Sequence, residues 1–263
     1  MSQFSLSDDE LQVVSARTGV TDFPTVLAVR PRHGRIDTLH AAFDDATRAL
    51  AARGVISDGS VARDLASVVR ALHRPESELA MRIVTPEGIT RVSTVRQGSQ
   101  GLIARRVGNT FVLRAHDAGL PAATRAVLAE LPRMEPARIA PLGAPLQAMA
   151  ECLDGGGDGP QLADRIHALG IERRSAMLLG SALASRLAFA EIVYHRLASD
   201  EDRISRSPAA VAVFYTKRGR IVAAPSASPT GQLWTTLKPG SDHAITQAIG
   251  QLIGLSTERW EDP

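Results

Sequence analysis

Several scarcities in this 263-residue chain each exclude a class of protein. The single cysteine, Cys152, excludes an intrachain disulfide and a multi-cysteine metal site, which fits a reducing compartment. No window has the roughly 18 uninterrupted apolar residues that a membrane-spanning helix needs, and residues 1–10 lack the basic and apolar regions of a signal peptide. Aromatic residues make up only 4% of the chain, so aliphatic side chains must build the core. We expect a cytoplasmic protein without a membrane span.

Charge of one sign is not in large excess. Thirty Lys plus Arg against 28 Asp plus Glu leave a formal charge of +2, which is weak evidence for a nucleic-acid partner. One basic cluster lies near the N-terminus and consists of Arg30, Arg32, His33 and Arg35. Because no aromatic platform accompanies these side chains, we interpret the cluster as a solvated loop and expect no nucleic acid. A nucleic-acid-binding or regulatory protein that uses this cluster is the third hypothesis.

Motifs for catalysis, cofactor binding and metal binding are missing. The seven histidines include no His-x-x-x-His or His-Glu-x-x-His pair, so we predict no metal ligand. There is no Gly-x-Ser-x-Gly elbow, no Gly-x-Gly-x-x-Gly loop and no base near Cys152, so we predict no catalytic residue and no cofactor. One alternative stays open, because His116–Asp117 and Asp242–His243 fall near matching strand-to-helix turns. An enzyme or a small-ligand-binding protein could use these turns, although capping or solvated turn residues explain them better.

The first 75 residues have mainly the pattern of helices. Ser7 and Glu10 form a capping box at the start of the first helix. Residues 24–29 predict a short strand. Asp37 is expected to cap a second helix, and a third helix is predicted over residues 60–73.

From Glu78 onward, apolar residues alternate with a period of two. Turns at residues 86–88 and at Gly108–Asn109 join four predicted strands into a meander, which favours an antiparallel sheet. The stretch 209–253 has the pattern strand, tight turn, strand, loop, strand and helix, and residues 102–131 carry a fainter copy with two strands and a helix. Its helix matches the helix after the meander at one constant offset, and the matching apolar pairs are Ala123–Ile245, Ala126–Ala248, Val127–Ile249 and Leu131–Ile253. This repeat predicts two related halves.

We predict one domain with an N-terminal half over residues 1–132, a linker over 133–159 and a C-terminal half over 160–263. Prolines in the linker prevent a continuous helix, and a glycine run at 155–157 stands between two aspartates. The run lacks the Lys-Ser/Thr of a P-loop and the spacing of an EF-hand, so we interpret it as a flexible joint. The C-terminal half is predicted to begin with two helices, a strand and a polar loop, at residues 160–169, 174–187, 189–197 and up to Pro208.

Three segments of the chain are similar to one known family. They are LSDDELQVVSARTGVTDFPTVLAVRPRH, AAFDDATRALAARGVISDG and AVFYTKRGRIVAAPSASPTGQLWTTLKPGSDHAITQAIGQLI. In these segments the chain resembles the EspG family, the cytoplasmic chaperones of mycobacterial type VII (ESX) secretion. The resemblance implies an α+β fold in which two pseudo-twofold related halves share a central antiparallel β-sheet flanked by two helical bundles. It also implies a protein that is not an enzyme.

The resemblance further implies a partner. Such proteins bind a PE–PPE heterodimer by the exposed apolar helical tip of the PPE member, keep it soluble and direct it to one secretion system. The binding groove is expected beside the sheet and the C-terminal helical bundle. Carried onto this chain, the candidate partner-binding residues are Phe214, Thr216, Val222, Ser226, Leu233, Trp234, Ile249 and Leu252. A weak homodimer also stays open.

Trp234 and Phe214 are the expected anchors, because buried aromatic residues dominate binding interfaces. Both are also candidates for the core. Neighbouring residues of a strand face opposite sides of the sheet, so about half of the eight candidates cannot share one surface. One departure from the family concerns the hairpin between Val95 and Leu102, which is short here around Gly98, whereas family members can carry a longer loop that touches the cargo. A contribution of this hairpin to cargo binding is therefore open.

Overall fold

The structure, a computed structural model, describes residues 3–30, 32–154, 157–198 and 203–261. Its strands are β1 (Gln3–Ser7), β2 (Ile56–Ser57), β3 (Ser60–Val61), β4 (Ser77–Thr85), β5 (Gly88–Gln97), β6 (Gln100–Val107), β7 (Thr110–Asp117), β8 (Leu142–Pro145), β9 (Arg186–Ala198), β10 (Arg203–Arg206), β11 (Val211–Thr216), β12 (Gly219–Ala227) and β13 (Leu233–Pro239). Its α-helices are α1 (Asp8–Thr18), α2 (Ile36–Ala52), α3 (Arg63–Ala71), α4 (Leu120–Glu130), α5 (Leu146–Asp154), α6 (Gly159–Ala168), α7 (Arg173–Ala184) and α8 (Asp242–Gly254). A short 3-10 helix covers Thr25–Leu27.

Eleven strands form one antiparallel sheet in the order β1-β7-β6-β5-β4-β9-β11-β12-β13-β8, with β10 paired to β9. The two halves meet at the β4–β9 pair, which we call the seam. From the seam one meander runs outwards through β5, β6 and β7, and the other through β11, β12 and β13. Two helices precede each meander, α2 and α3 or α6 and α7, and one helix follows it, α4 or α8. The predicted α+β fold with a central antiparallel sheet and related halves is confirmed.

The helices divide between the two faces of the sheet. On one side, here called the α4/α8 face, Met81 of β4, Ile192 of β9 and Ile249 of α8 belong to one continuous buried cluster. The other side, here called the bundle face, carries α1, α2 and α3 over the N-terminal meander and α5, α6 and α7 over the C-terminal meander. A separate buried cluster lies under each of these two bundles. The bundle face therefore has a strip along the seam that belongs to neither bundle.

Local sequence signals determine where several helices begin and end. The predicted capping box is confirmed, because the Ser7 amide donates to Glu10 Oε2 at 2.7 Å and the Glu10 amide donates to Ser7 Oγ at 3.2 Å. Gly54 and Gly170 follow α2 and α6 at equivalent places in the two halves, with φ of 67° and 85°. Glycine adopts this left-handed conformation without strain, so it ends both helices cleanly.

Two predictions for the first 75 residues are wrong, and the predicted third helix is present but shorter than expected. The described residues 24–29 contain the 3-10 helix in place of a strand, because Leu27 turns inward and is fully buried while side chains of β5 and β6 donate to the local carbonyls. Asp37 does not cap α2, whose N-cap is Arg35; its carboxylate pairs with the Arg35 guanidinium at 2.9 Å. The third helix begins only at Arg63, since the residues before it form β3.

The C-terminal half also differs from the prediction. The predicted helix through Leu187 is too long, because α7 ends at Ala184 and the next residues enter β9 and pair with β11. The stretch expected as a polar loop up to Pro208 contains β10. The predicted linker contains β8 and α5, and β8 pairs with β13. Of the predicted glycine joint, residues 155–156 lie outside the described residues.

Candidate partner-binding surface

Five of the eight residues that the sequence suggested as contacts lie in the core. Their exposed fraction is at most 5%, and they are Phe214, Thr216, Val222, Ile249 and Leu252. Thr216 also has a local structural contact, because its Oγ1 donates to the Gly219 carbonyl at 2.8 Å across the β11–β12 turn. The other three, Ser226, Leu233 and Trp234, are half-buried. These five side chains lie in the core, so they can support a partner-binding surface but do not form one.

The eight residues also do not share one face. Val222 belongs to the cluster on the α4/α8 face, and Ser226 and Trp234 are direct cross-strand partners on that same side. Phe214 packs in the cluster under the C-terminal bundle, and Leu233 alternates with Trp234 onto the bundle face. The structure therefore separates the two expected anchors, Trp234 and Phe214, by the thickness of the sheet.

The geometry does not favour the histidine turns or the basic cluster as functional sites. His116 lies within β7 whereas His243 lies in the first turn of α8, so the two histidines occupy unlike places in the two halves. In the part of the chain that the structure describes, no group of three or more His, Cys, Asp and Glu side chains could hold a metal ion. Among the same residues, no helix combines the length and the apolar character that crossing a membrane requires. In the basic cluster, His33 Nε2 lies 2.9 Å from Asp9 Oδ1, a contact within the N-terminal bundle.

Large apolar side chains are exposed along the strip between the two bundles. On the bundle face, Val84 of β4 lies directly opposite Phe189 of β9 and Ile89 of β5, so these three residues form one cross-strand row. Val84 is 42% exposed and Ile89 is 46% exposed. Phe189 is half-buried and rests against Phe214, with the ring centroids 5.4 Å apart. Contiguous exposed apolar side chains are a feature of binding surfaces.

The C-terminal bundle provides one wall beside this row. Leu178 of α7 and Leu187 of β9, which are 41% and 45% exposed, line one cavity of about 670 Å³. Leu187 is the extra residue at a register shift between β9 and β11 and lies two residues before Phe189, so the cavity begins close to the apolar row. We define the inter-bundle groove by Val84, Ile89, Leu178, Leu187 and Phe189. The groove lies beside the sheet and the C-terminal bundle, although it shares no residue with the eight candidates.

A row of charged side chains crosses the floor of the groove next to the apolar row. Its members are successive cross-strand partners on four strands, namely Glu191, Arg82, Arg91 and Arg106. At one end of the row, Arg82 pairs with Glu191 at 2.6 Å. At the other end, Arg106 pairs with the buried carboxylate of Asp8 at 2.7 Å. The two outer arginines therefore each have a carboxylate partner.

Arg91, in the middle of this row, has a different environment. Its Nη1 donates to the Val26 carbonyl of the 3-10 helix at 3.2 Å. Burial lowers the pKa of its guanidinium, and the positive charges of Arg106, Arg82 and Arg30 lower it further. Both causes disfavour the charged form of the side chain. The surroundings of Arg91 therefore favour a negative charge that is supplied from outside the chain.

Sequence reasoning missed every residue of the groove. Val84 and Ile89 flank the predicted turn at 86–88, and Leu187 and Phe189 fall where a predicted helix ends and a predicted strand begins. No motif marks these positions. Their exposure depends on which part of the sheet the helices leave uncovered, and that is decided by tertiary packing.

Comparison with known proteins agrees with the architecture. The model of the EspG family matches residues 7–251. The ESX-1 secretion-associated protein EspG1 of Mycobacterium tuberculosis (strain ATCC 25618 / H37Rv) is 28% identical over 253 residues, which cover 94% of this chain and 85% of that protein. The ESX-3 secretion-associated protein EspG3 of Mycolicibacterium smegmatis is 27% identical over 252 residues, with the same two coverages.

A solved structure has the same fold. It is that of the Mycobacterium tuberculosis type VII secretion system chaperone EspG5 in complex with a PE25–PPE41 dimer, and it superposes with a TM-score of 0.83 over 99% of both chains. The sequence identity of 16% limits this likeness to the fold. The family match, in contrast, spans almost the whole sequence and confirms the resemblance seen in the three segments. This chain belongs to the EspG family.

Proposed function

We propose that this chain is a cytoplasmic, non-enzymatic chaperone of type VII (ESX) secretion that binds the apolar helical tip of a PPE protein within a PE–PPE heterodimer. Binding keeps the tip soluble and directs the pair to one secretion system. The observation that carries the proposal is the inter-bundle groove, an exposed apolar surface beside the C-terminal bundle of an EspG-family chain. The EspG5 chaperone, which shares this fold, was solved in complex with a PE25–PPE41 dimer.

The groove and an apolar helical tip are physically complementary. Complete burial of one Val, Leu or Ile side chain contributes about 1.5–3 kcal/mol, and the groove exposes several such side chains, among them Val84, Ile89 and Leu187. A helical tip with the same character would self-associate in water. Docking the tip in the groove removes both apolar surfaces from water at once, which supports a stable complex.

The short hairpin around Gly98 lies away from the groove. It is at the far end of β5 from Ile89, about 30 Å along a strand of this length. The Gly98 amide donates to Glu76 Oε1 at 3.1 Å, a contact within the N-terminal half. We therefore propose that this hairpin does not contact the cargo.

Trp234 stays an alternative proposal for the anchor. It is half-buried on the α4/α8 face with Ser226 directly opposite. A tip that docks on Trp234 would approach the other side of the sheet from the groove, so variants on the two faces distinguish the two sites.

Co-expression tests the proposal. A tagged copy of the chain is expressed with each PE–PPE pair of the same genome, captured by affinity and analysed by size-exclusion chromatography. The wild-type chain is expected to retain one pair as a complex of defined stoichiometry, and Val84→Asp and Ile89→Asp are expected to lose it. Val107→Asp is the matched control, because Val107 is an equally exposed valine, at 43%, on the α4/α8 side of β6.

Each outcome decides a separate point. A folded wild-type chain that captures no pair contradicts the chaperone function. Capture by Val84→Asp and Ile89→Asp at the level of the control moves the binding site away from the groove. Loss of capture in a folded Trp234→Ala variant, with the groove variants still binding, assigns the anchor to the α4/α8 face.

A further inference from the structure

The middle of the bundle face contains an arrangement of charge that folding alone does not favour. Arg82, Arg91 and Arg106 lie directly opposite one another on the neighbouring strands β4, β5 and β6, and their side chains share the bundle face. The side chains of directly opposite residues begin only about 5 Å apart. Like charges at such positions destabilise a sheet. Three arginines in one row are therefore a cost that the rest of the structure offsets only in part.

The compensation is unequal along the row. Arg82 has Glu191 at 2.6 Å, and Arg106 has the buried Asp8 at 2.7 Å. Arg91 has the Val26 carbonyl at 3.2 Å. Within the described residues no carboxylate forms an ion pair with Arg91, which is half-buried in the groove floor.

The apolar row beside the arginines indicates what kind of molecule can supply a negative charge to Arg91. Residues two apart on a strand lie about 7 Å from each other on the same face. Arg82 is therefore the neighbour of Val84 on the bundle face, and Glu191 is the neighbour of Phe189. A ligand that satisfies Arg91 must also cover exposed apolar side chains. An acidic residue beside apolar residues on a protein helix meets both conditions. The phosphate backbone of a nucleic acid would place charge over the apolar row.

We propose that Arg91, with Arg82 beside it, binds a carboxylate of the cargo, an Asp or Glu side chain next to the apolar tip that docks in the inter-bundle groove. This proposal rests on the chaperone function proposed above. In it, the apolar row provides attraction for any apolar tip, and the arginine row selects the tips that carry an acidic residue one step away. A cargo without that acid would leave the Arg91 charge desolvated and without a carboxylate partner, and this unfavourable contribution to binding discriminates against such a cargo.

Titration calorimetry with the captured PE–PPE pair tests the assignment. Arg91→Gln is expected to raise the Kd by about ten- to a hundredfold, the range for the loss of a charge-assisted contact. Arg91→Lys keeps the charge and is expected to retain most of the affinity. Arg125→Gln is the matched control, because it removes the same charge from an exposed position of α4, on the other face. High salt should weaken wild-type binding more than binding by Arg91→Gln.

The melting temperature separates binding from folding. Arg91→Gln removes one charge from a like-charge row, so its melting temperature is expected to be equal to or above that of the wild type. In the cargo, replacing the contacted acid by Arg should weaken binding to the wild-type chain, and Arg91→Glu should restore it.

Three results would overturn the inference. The first is wild-type affinity in a folded Arg91→Gln variant. The second is an equal loss in Arg125→Gln, which would show a long-range effect of net charge. The third is a salt dependence that Arg91→Gln leaves unchanged. A wild-type chain that captures no pair would instead contradict the proposed function, and this inference with it.

Discussion

The two faces of the sheet use the same strands but differ in how the helices cover the seam. On the α4/α8 face, one helix from each half packs into a single cluster that continues across β4 and β9. On the bundle face, each group of helices stays over its own meander. Along β4 alone, Met81 on the first face is fully buried whereas Val84 on the second is 42% exposed. The α4/α8 face is therefore closed along the seam and joins the two halves. The bundle face is open along the seam and leaves a surface for a partner.

The C-terminal segment adds further contacts between the two halves on the closed α4/α8 face. Trp260 is 1% exposed, and its Nε1 donates to the Ala118 carbonyl at 2.8 Å. The Trp260 carbonyl in turn accepts from Ser77 Oγ at 3.2 Å and from Arg96 Nη1 at 2.6 Å. These donors and acceptors all belong to the N-terminal half, so the end of the chain fastens the two halves together on this face.

Removing the indole of Trp260 should have the largest effect on stability. Truncation of a buried Trp to Ala costs about 3–5 kcal/mol, so Trp260→Ala should lower the free energy of unfolding by that amount in urea denaturation. Trp260→Phe, which keeps a ring but loses the bond to Ala118, should cost less. Trp234→Ala is the control, because Trp234 is half-buried and should cost clearly less than Trp260. Equal losses at the two tryptophans would mean that the α4/α8 face is not closed in the way described.

A pair of substitutions on one strand compares the two faces directly. Met81→Ala should destabilise the protein by about 2–5 kcal/mol, since it removes a fully buried side chain. Val84→Ala should cost less than about 1 kcal/mol, because much of its side chain is in water already. For cargo binding the order should reverse, with Val84→Ala weakening capture and a folded Met81→Ala leaving it intact. The same order in both assays would remove the distinction between a stabilising face and a binding face.

The sequence predicts that β4 is a strand with an apolar face, but it does not predict where the helices leave the sheet uncovered. Period-two alternation around Met81 predicts that β4 is a strand with Leu79, Met81 and Ile83 on one apolar face, and the capping box at Ser7 fixes the start of the first helix, because both signals are local. Alternation does not tell which face the helices cover, since Met81 and Val84 look alike in the sequence. The groove also combines residues from β4, β5, α7 and β9, whose proximity arises only in the folded chain. The eight candidates lie between β11 and α8, and five of those positions belong to the core.

The burial of Tyr215 allows the closed face to be examined by pH. Tyr215 is 1% exposed, and burial raises the pKa of its hydroxyl to about 12 although nearby Arg220 acts in the opposite direction. The tyrosine of the unfolded chain loses its proton near pH 10. Its stabilising contribution is therefore complete below about pH 10 and is lost as the pH rises towards about 12, at up to about 1.4 kcal/mol per pH unit.

Tyr215→Phe should remove this part of the alkaline loss while changing the stability at neutral pH little. Urea denaturation from neutral to alkaline pH measures both effects. An unchanged alkaline slope in the variant would show that Tyr215 does not titrate with unfolding, and hence that the interior beneath the α4/α8 face is more polar than its burial indicates.

The smallest expected effect on stability tests whether the two helical bundles of the bundle face are equivalent. Gly54 and Gly170 end α2 and α6 in the left-handed conformation, and a Cβ at either position would meet no atom of the described residues within 4 Å. The cost of alanine there is therefore conformational, about 1 kcal/mol at each site. Gly54→Ala and Gly170→Ala should shift the urea midpoint by similar amounts, and Gly34→Ala, at a glycine without a positive φ and equally open, should not. A much larger shift at Gly170 would show that the C-terminal bundle, which forms a wall of the groove, depends more strongly on its helix ends than its counterpart does. In that case the wall that carries Leu178 would be the more easily disturbed side of the groove, and Gly170→Ala should weaken cargo capture while Gly54→Ala leaves it unchanged.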